Sequence, residues 1–299
     1  MIKKLLTSAL VLASLTGPAV SAEAPQTVGT FTASEKGFFA NTFWLEGESG
    51  LILIDVQFLN SEASNLIAAI EKTGKKPSAV MITHPHPDHY NGLTTLTKRY
   101  GKLPVYATQA TIDGIKATTE KKREFWLPTY GKDYPSTTIF PDQVLPEKGN
   151  VTIDGIEFVV DELGAGEASS ITVFFQPQSQ KLFVGDLSYP HMHPWLAEGR
   201  SNQWMGQLAY VLREYADTKV VYPGHGKAGS LKQLNNQLSY INTFQTLVRD
   251  RHASKGLTTD DKNTLNSKMK TMFPGYQLDG LIGWNSDAVA TELATSEAH

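Results

Sequence analysis

Residues 83–92 read THPHPDHYNG and place three of the chain's eight histidines and one aspartate within positions 84–89. No other stretch restricts the fold as strongly. The β-rich, apolar SAVMITH leads into it, so the motif leaves the end of a buried strand. In extended backbone the period of two sends His84 and His86 to one side. Asp88 and His89 then fall where a helix begins, Pro85 and Pro87 stiffen the turn, and Gly92 permits close approach. Four potential ligands converge on one small volume, which points to a metal site and away from solvated loop histidines.

The pattern around the motif predicts alternating strands and helices. TVGTFTA, FFANTFWLEG and LILID read as meandering strands. Residues 61–74 have helical spacing after a Ser61 cap, LTTLTKRYG reads as a helix closed by Gly101, and PVYAT as a short strand. Residues 108–150 break the rhythm with a polar helix to about Glu124 and then a proline- and aromatic-rich run, and they read as an insertion. A hairpin around Asp154-Gly155 follows, then strands in ITVFFQPQSQKLFVGD, a helix from Asn202 to Ala216 and the strand KVVYPGHG. Two such halves predict two stacked sheets flanked by helices. From Ser230 onward one amphipathic and two weaker helical segments form an extension with no linker before it.

Composition narrows the setting. Lys3 and Lys4, the apolar run Leu5 to Leu15 and the small residues Val20-Ser21-Ala22 read as a secretory signal peptide over residues 1–22, cleaved after Ala22. The apolar run stops short of the roughly 20 residues that a membrane span needs, so the mature chain 23–299 is expected to be soluble, in a bacterial periplasm or the medium. Loss of two lysines from 27 basic residues, against 30 acidic ones, moves the net charge from −3 to about −5. That argues against a nucleic-acid partner. There is no cysteine, hence no disulfide, thiolate ligand or cysteine nucleophile.

Two more pieces occupy strand ends: LFVGDLS places Asp186 after a buried strand and glycine, and VVYPGHG does the same for His225. Through HPHPDH, Gly185-Asp186 and the PGHG of residues 223–226, the chain resembles the metallo-β-lactamase fold superfamily from about Thr27 to Gly229. The resemblance implies an α/β fold, a four-layer αββα sandwich, here followed by the helical extension 230–299. It implies one or two metal ions, usually zinc, with His84 and His86 on the first, Asp88, His89 and His225 on the second, and Asp186 bridging.

One position departs from that family's pattern. A third histidine usually completes the first metal, but the matching stretch is GAGEASSITVFF, with Glu167 in its place. Carboxylate oxygen is an acceptable zinc ligand. Glu167 is therefore read as a ligand, with a supporting Glu167, or His191 or His193 of YPHMHPW completing the site, left open. A Glu167 ligand makes a two-metal site formally neutral and brings manganese or iron within range.

The resemblance and the export signal together imply hydrolysis of a small ester, lactone or amide, a β-lactam included, by a metal-bound hydroxide that Asp88 orients. Tyr189, His191 and His193 are candidates to contact substrate or donate a proton. Mononuclear iron oxidation of the sulfur dioxygenase type, or metal binding with little catalysis, are the alternatives. The aromatic run Phe125 to Phe140 and the C-terminal helices are candidate walls of the cleft. Oligomeric state is not readable from the chain.

Overall fold

Strands form where the apolar runs are. The computed structural model describes residues 27–251 and 256–296; the expected signal peptide, His252 and His299 lie outside them. In the first sheet β1 (Gly29–Thr32), β2 (Asn41–Glu46) and β3 (Leu51–Ile54) form an antiparallel meander. Helix α1 (Asn60–Glu71) then crosses to β4 (Pro77–Met81). Two more helices, the short α2 (Pro87–Tyr90) and α3 (Leu93–Tyr100), lead to β5 (Val105–Thr108). Helix α4 (Gln109–Tyr130) leads to β6 (Gln143–Leu145), and the six strands lie side by side in chain order, parallel from β3 onward.

The second sheet contains β7 (Lys148–Ile153), β8 (Ile156–Glu162), β9 (Thr172–Gln176), β10 (Lys181–Gly185) and β11 (Val220–Pro223), in the order β11-β10-β9-β8-β7. Its hairpins are antiparallel, while α5 (Ser201–Glu214) makes the crossover that lets β10 and β11 run parallel. Helices α6 (Lys232–Arg249), α7 (Thr259–Met272) and α8 (Leu281–Ser296) complete the described chain.

Burial gives the layers. Phe43, Leu45, Ile52 and Met81 of one sheet meet Phe158, Val160, Phe174 and Phe183 of the other. The outer face of the first sheet is covered by Leu66 and Ile70 of α1, Leu96 of α3 and Ile115 of α4. That of the second packs on Trp204 and Leu208 of α5, Ile241 and Phe244 of α6, Met269 of α7 and Val289 of α8. Covered on both faces, β4 has no polar alternation. The fold is a four-layer αββα sandwich with a helical C-terminal part.

Two local expectations are corrected. Residues 108–150 are not an insertion: α4 and β6 form an ordinary parallel crossover that extends the first sheet. Strand β6 is three residues long with Val144 exposed, too short and too open to show a periodicity. Helix α4 also continues past Glu124 to Tyr130, with Pro128 in its last turn. Proline there costs one backbone donor, while Trp126 and Tyr130 pack at 5.6 and 5.2 Å on Phe58. In addition, α1 starts at Asn60, and Ser61 does not act as its cap. The Ser61 N–H and hydroxyl both donate to the Asp133 carboxylate, at 2.8 and 2.7 Å.

Candidate metal centre

The carboxyl ends of β4, β10 and β11 meet at one edge of the sandwich, the place where open α/β sheets leave a crevice. Beyond β4 the chain delivers His84 and His86, and Pro87 then opens α2, which carries Asp88 and His89. Asp186 follows β10, His225 follows β11, and Glu167 comes from the loop between β8 and β9. Asn41 joins the two sheets here: its amide donates to the carbonyls of Pro223 and Gly226 at 3.0 and 2.7 Å. Glycine is required beside Asp186, because a Cβ at Gly224 would lie 1.9 Å from Asp186 Oδ1. Gly92 has a different constraint, since a Cβ would strike the Val56 carbonyl oxygen at 2.1 Å.

The side chains form two groups that share Asp186: His84, His86, Glu167 and Asp186, then Asp88, His89, Asp186 and His225. In each, the possible ligand atoms lie within 4.8 Å of one another. His86 Nδ1 is 3.3 Å from Glu167 Oε2, and His84 Nε2 is 3.4 Å from Asp186 Oδ2. His89 Nε2 stands 3.2 Å from Asp186 Oδ1 and 3.4 Å from Asp88 Oδ2. His225 Nε2 stands 3.3 Å from Asp88 Oδ2 and 3.2 Å from Asp186 Oδ2. Ligands bound about 2.0–2.1 Å from a tetrahedral ion are about 3.3–3.4 Å apart by geometry. The 3.9 Å between His84 Nε2 and Glu167 Oε2 is wider.

The outward nitrogen of every imidazole is held. His89 Nδ1 donates to Asp55 Oδ2 at 2.9 Å and His225 Nδ1 to the Phe38 carbonyl at 2.7 Å. Thr83 donates its hydroxyl to Asp55 and so accepts from His84 Nδ1, at 2.8 Å. His86 Nε2 faces Glu198 Oε1 at 3.4 Å, and Arg200 pairs with the other oxygen of Glu198. Each ring therefore turns its remaining nitrogen into the cluster, as metal-binding histidines do. The buried atoms His84 Nε2, His89 Nε2, Glu167 Oε2 and Asp186 Oδ1 make no hydrogen bond. Such atoms are costly unless something electropositive serves them.

Charge points the same way. Burial alone would raise the carboxyl pKa values of Asp88 and Asp186, yet His89 and His225 hold both well below the ordinary range. Burial would lower His86 and His225, but Glu167 lifts the first to about 9 and Asp186 the second to about 10. His84, buried and beside His89, is lowered. Three clustered carboxylates thus draw protons onto the imidazoles, a positive charge that divalent cations would replace. The donor set, nitrogen and carboxylate oxygen without sulfur, suits such cations.

Of the other expected site residues, Tyr189 is at the cluster: its hydroxyl lies 2.9 Å from Glu167 Oε1 and 2.5 Å from Asp186 Oδ2. Its ring stacks on His225 with centroids 4.7 Å apart. The structure does not bring His191 or His193 there. His191, at φ +59°, is exposed against Tyr276. His193 is buried, its Nδ1 bonded to the Tyr240 hydroxyl at 2.7 Å, because the loop after β10 packs onto α6. Beside the cluster is a pocket with a cavity volume of about 100 Å³, partly open to solvent, walled by Phe38, Phe58, Trp126, Trp195 and Leu281. Lys122 and Glu198 add polar groups to its lining. Sequence reasoning missed Asp55, Thr83, Glu198 and Lys122; the one available signal was the apolar LILI ending in Asp55.

Known proteins share this fold. The model of the metallo-β-lactamase superfamily matches residues 36–225, and the chain belongs to that superfamily. It is similar to a metallo-β-lactamase type 2 of Bacillus cereus, 27% identical over 70% of this chain and 77% of that protein. A linear primary-alkylsulfatase of a Pseudomonas species is 23% identical over 73% of this chain and 48% of its own, so the chain spans about half of that relative's length. A metallo-β-lactamase family protein from Thermus thermophilus shares the fold with a TM-score of 0.66 at 15% identity, over 92% of this chain and 94% of that one.

Proposed function

We propose that the protein is an exported, metal-dependent hydrolase that binds two zinc ions and cleaves a small ester, lactone or amide. The observation that carries the reading is the convergence of inward-facing imidazole nitrogens and buried carboxylate oxygens, with six imidazole–carboxylate pairs at 3.2–3.4 Å, the spacing of tetrahedral ligands. His84, His86 and Glu167 would hold one ion, Asp88, His89 and His225 the other, and Asp186 both. Bound zinc supplies an acidified water and an electrophile for the substrate oxygen.

The chain's own groups do the rest. Asp88 is on the wall of the pocket and its carboxylate stays ionised, so it can accept and orient a proton of the attacking water. Tyr189 holds its proton, because burial and the neighbouring carboxylates raise its pKa well above the ordinary phenol value. It therefore donates to Glu167 or Asp186 and fixes their orientation. Glu198 and Asp55 fix the rings of His86 and His89. The apolar wall offers surface to the non-reacting part of a substrate. The named relatives, a β-lactamase and an alkylsulfatase, add β-lactam amides and sulfate esters to the substrates worth testing. Residues 1–22 support export, and no described helix is long and apolar enough to cross a membrane.

The test is metal analysis of natively purified protein with assays on lactone, aryl ester, sulfate ester and β-lactam panels, with and without chelator. About two zinc per chain and chelator-sensitive hydrolysis are expected. One iron with oxygen uptake, or full metal occupancy without turnover on any panel, would overturn the reading.

A further inference from the structure

The pocket beside the cluster has one lysine in its lining. Lys122 lies one helical turn before Trp126 on α4, so ammonium and indole enter the pocket from the same helix face. Its Nζ donates to the Pro85 carbonyl at 3.1 Å, between His84 and His86. An ammonium has three donors, and among the described residues Lys122 forms no ion pair. The nearby Glu198 is engaged by His86 and Arg200.

The rest of the wall is apolar. Phe38, Phe58, Trp126, Trp195 and Leu281 line it. Outside them Phe125 and Trp284 are 49% and 55% exposed, edge to face at 5.6 Å, and Trp195 lies 6.4 Å from Trp284. An apolar path thus runs from the cluster to two exposed aromatic rings, which is unusual on a surface unless something apolar uses it.

Taking the choice of pocket from the hydrolase reading, we propose that Lys122 is the anion-recognition residue and that the pocket takes a small monoanionic amphiphile. The anionic group sits at Lys122 beside His86, and the apolar body lies along the aromatic wall towards Phe125 and Trp284. Lys122 is the one lysine or arginine of the lining, and the carboxylates of Asp88, Asp186 and Glu198 beside it already face His89, His225, His86 and Arg200, so the ammonium is the group left to receive one anionic head. The wall sets the body, because a hydrated ligand gains nothing from five apolar side chains.

The experiment reads binding, so it is independent of turnover. Full-length, metal-loaded protein is titrated, by tryptophan fluorescence, with butane-, hexane- and octane-1-sulfonate, 1-octanol and octyltrimethylammonium, none of which is hydrolysed. Octanesulfonate should bind about tenfold or more tighter than octanol, the size of a charge-assisted hydrogen bond. Each added methylene should tighten binding about threefold to fourfold. Lys122→Met should abolish the preference for sulfonate over alcohol, Lys122→Arg should keep it, and Trp284→Ala should flatten the gain over the last methylenes. If Lys122 served only to hold Pro85, the methionine variant would weaken both ligands alike. That result, or equal binding of sulfonate and alcohol by the unaltered protein, or no dependence on chain length, would overturn the proposal. Should the methionine variant fail to fold, the ligand series on the unaltered protein still decides. Absence of hydrolysis on every panel would overturn the enzyme reading and leave this one standing.

Discussion

Asp55 shows how much of the centre depends on residues that hold the candidate ligands in place. At φ +57° it occupies the left-handed region that non-glycine residues seldom adopt. Its carboxylate accepts from the Thr83 N–H at 2.8 Å, the Thr83 hydroxyl at 2.7 Å and His89 Nδ1 at 2.9 Å. Such strain persists only where the surroundings hold it. An Asp55→Asn substitution presents an amide where a carboxylate oxygen accepted from the ring, and it should lower metal affinity roughly 10–100-fold, the usual cost of losing such a partner. Competition with a chromophoric chelator measures this; unchanged affinity would show that His89 needs no help from Asp55. Phe38 is alike, at φ +57° with its carbonyl on His225.

The elements are fastened by side chains from distant parts of the chain. Helix α1 lacks a side-chain cap of its own, and Asp133, beyond the end of α4, accepts from Ser61 instead. That contact joins α1 to the segment after α4 close to Phe58, a pocket-lining residue on which Tyr130 and Tyr134 pack. Asp133→Ala should therefore cost about 0.5–2 kcal/mol, the range of a lost N-cap, read as a lower urea midpoint with unchanged slope. A change below the error of the midpoint would mean that water serves the α1 terminus equally well. At the other end of the fold Glu292 of α8 accepts from the N–H groups of Ser201 and Asn202, each at 2.8 Å, and so caps α5.

Across the whole molecule, the C-terminal helices share a core with the second sheet, and His193 is at their junction. Its ring meets the Tyr240 hydroxyl of α6 and the Tyr276 ring ahead of α8, with Asp279 and Lys270 nearby. Burial lowers its pKa from 6.5 to about 4, the effect of Asp279 being smaller and opposite. With the folded value below the unfolded one, the unfolded chain binds more protons between those limits, so stability rises with pH there. The contribution is complete above about pH 6.5 and is lost as the pH falls towards 4. Urea midpoints of metal-free protein should fall across that window, and His193→Gln should flatten the slope. An identical slope in the variant would assign the acid sensitivity to other groups.

Much of this was legible in one dimension. Alternating strands and helices follow from local periodicity, and His84, His86, Asp88 and His89 are contiguous, so a strand-to-helix turn suffices to bring them together. Asp186 and His225 follow apolar strands closely enough for their place at a sheet edge to be readable. Glu167 stood out only against the histidine expected there. The crossover β6 was misread because three residues carry no period, and the α1 cap because its acceptor is 72 positions away. The sequence by itself determined the sandwich and the donor atoms, since both depend on neighbours along the chain. Tertiary structure alone decided which nitrogen of each ring faces inward, that Tyr189 reaches the cluster while His191 and His193 do not, and that Lys122 enters an apolar pocket. Each of these depends on a hydrogen-bond partner or a packing face supplied by a distant segment, which no local pattern encodes.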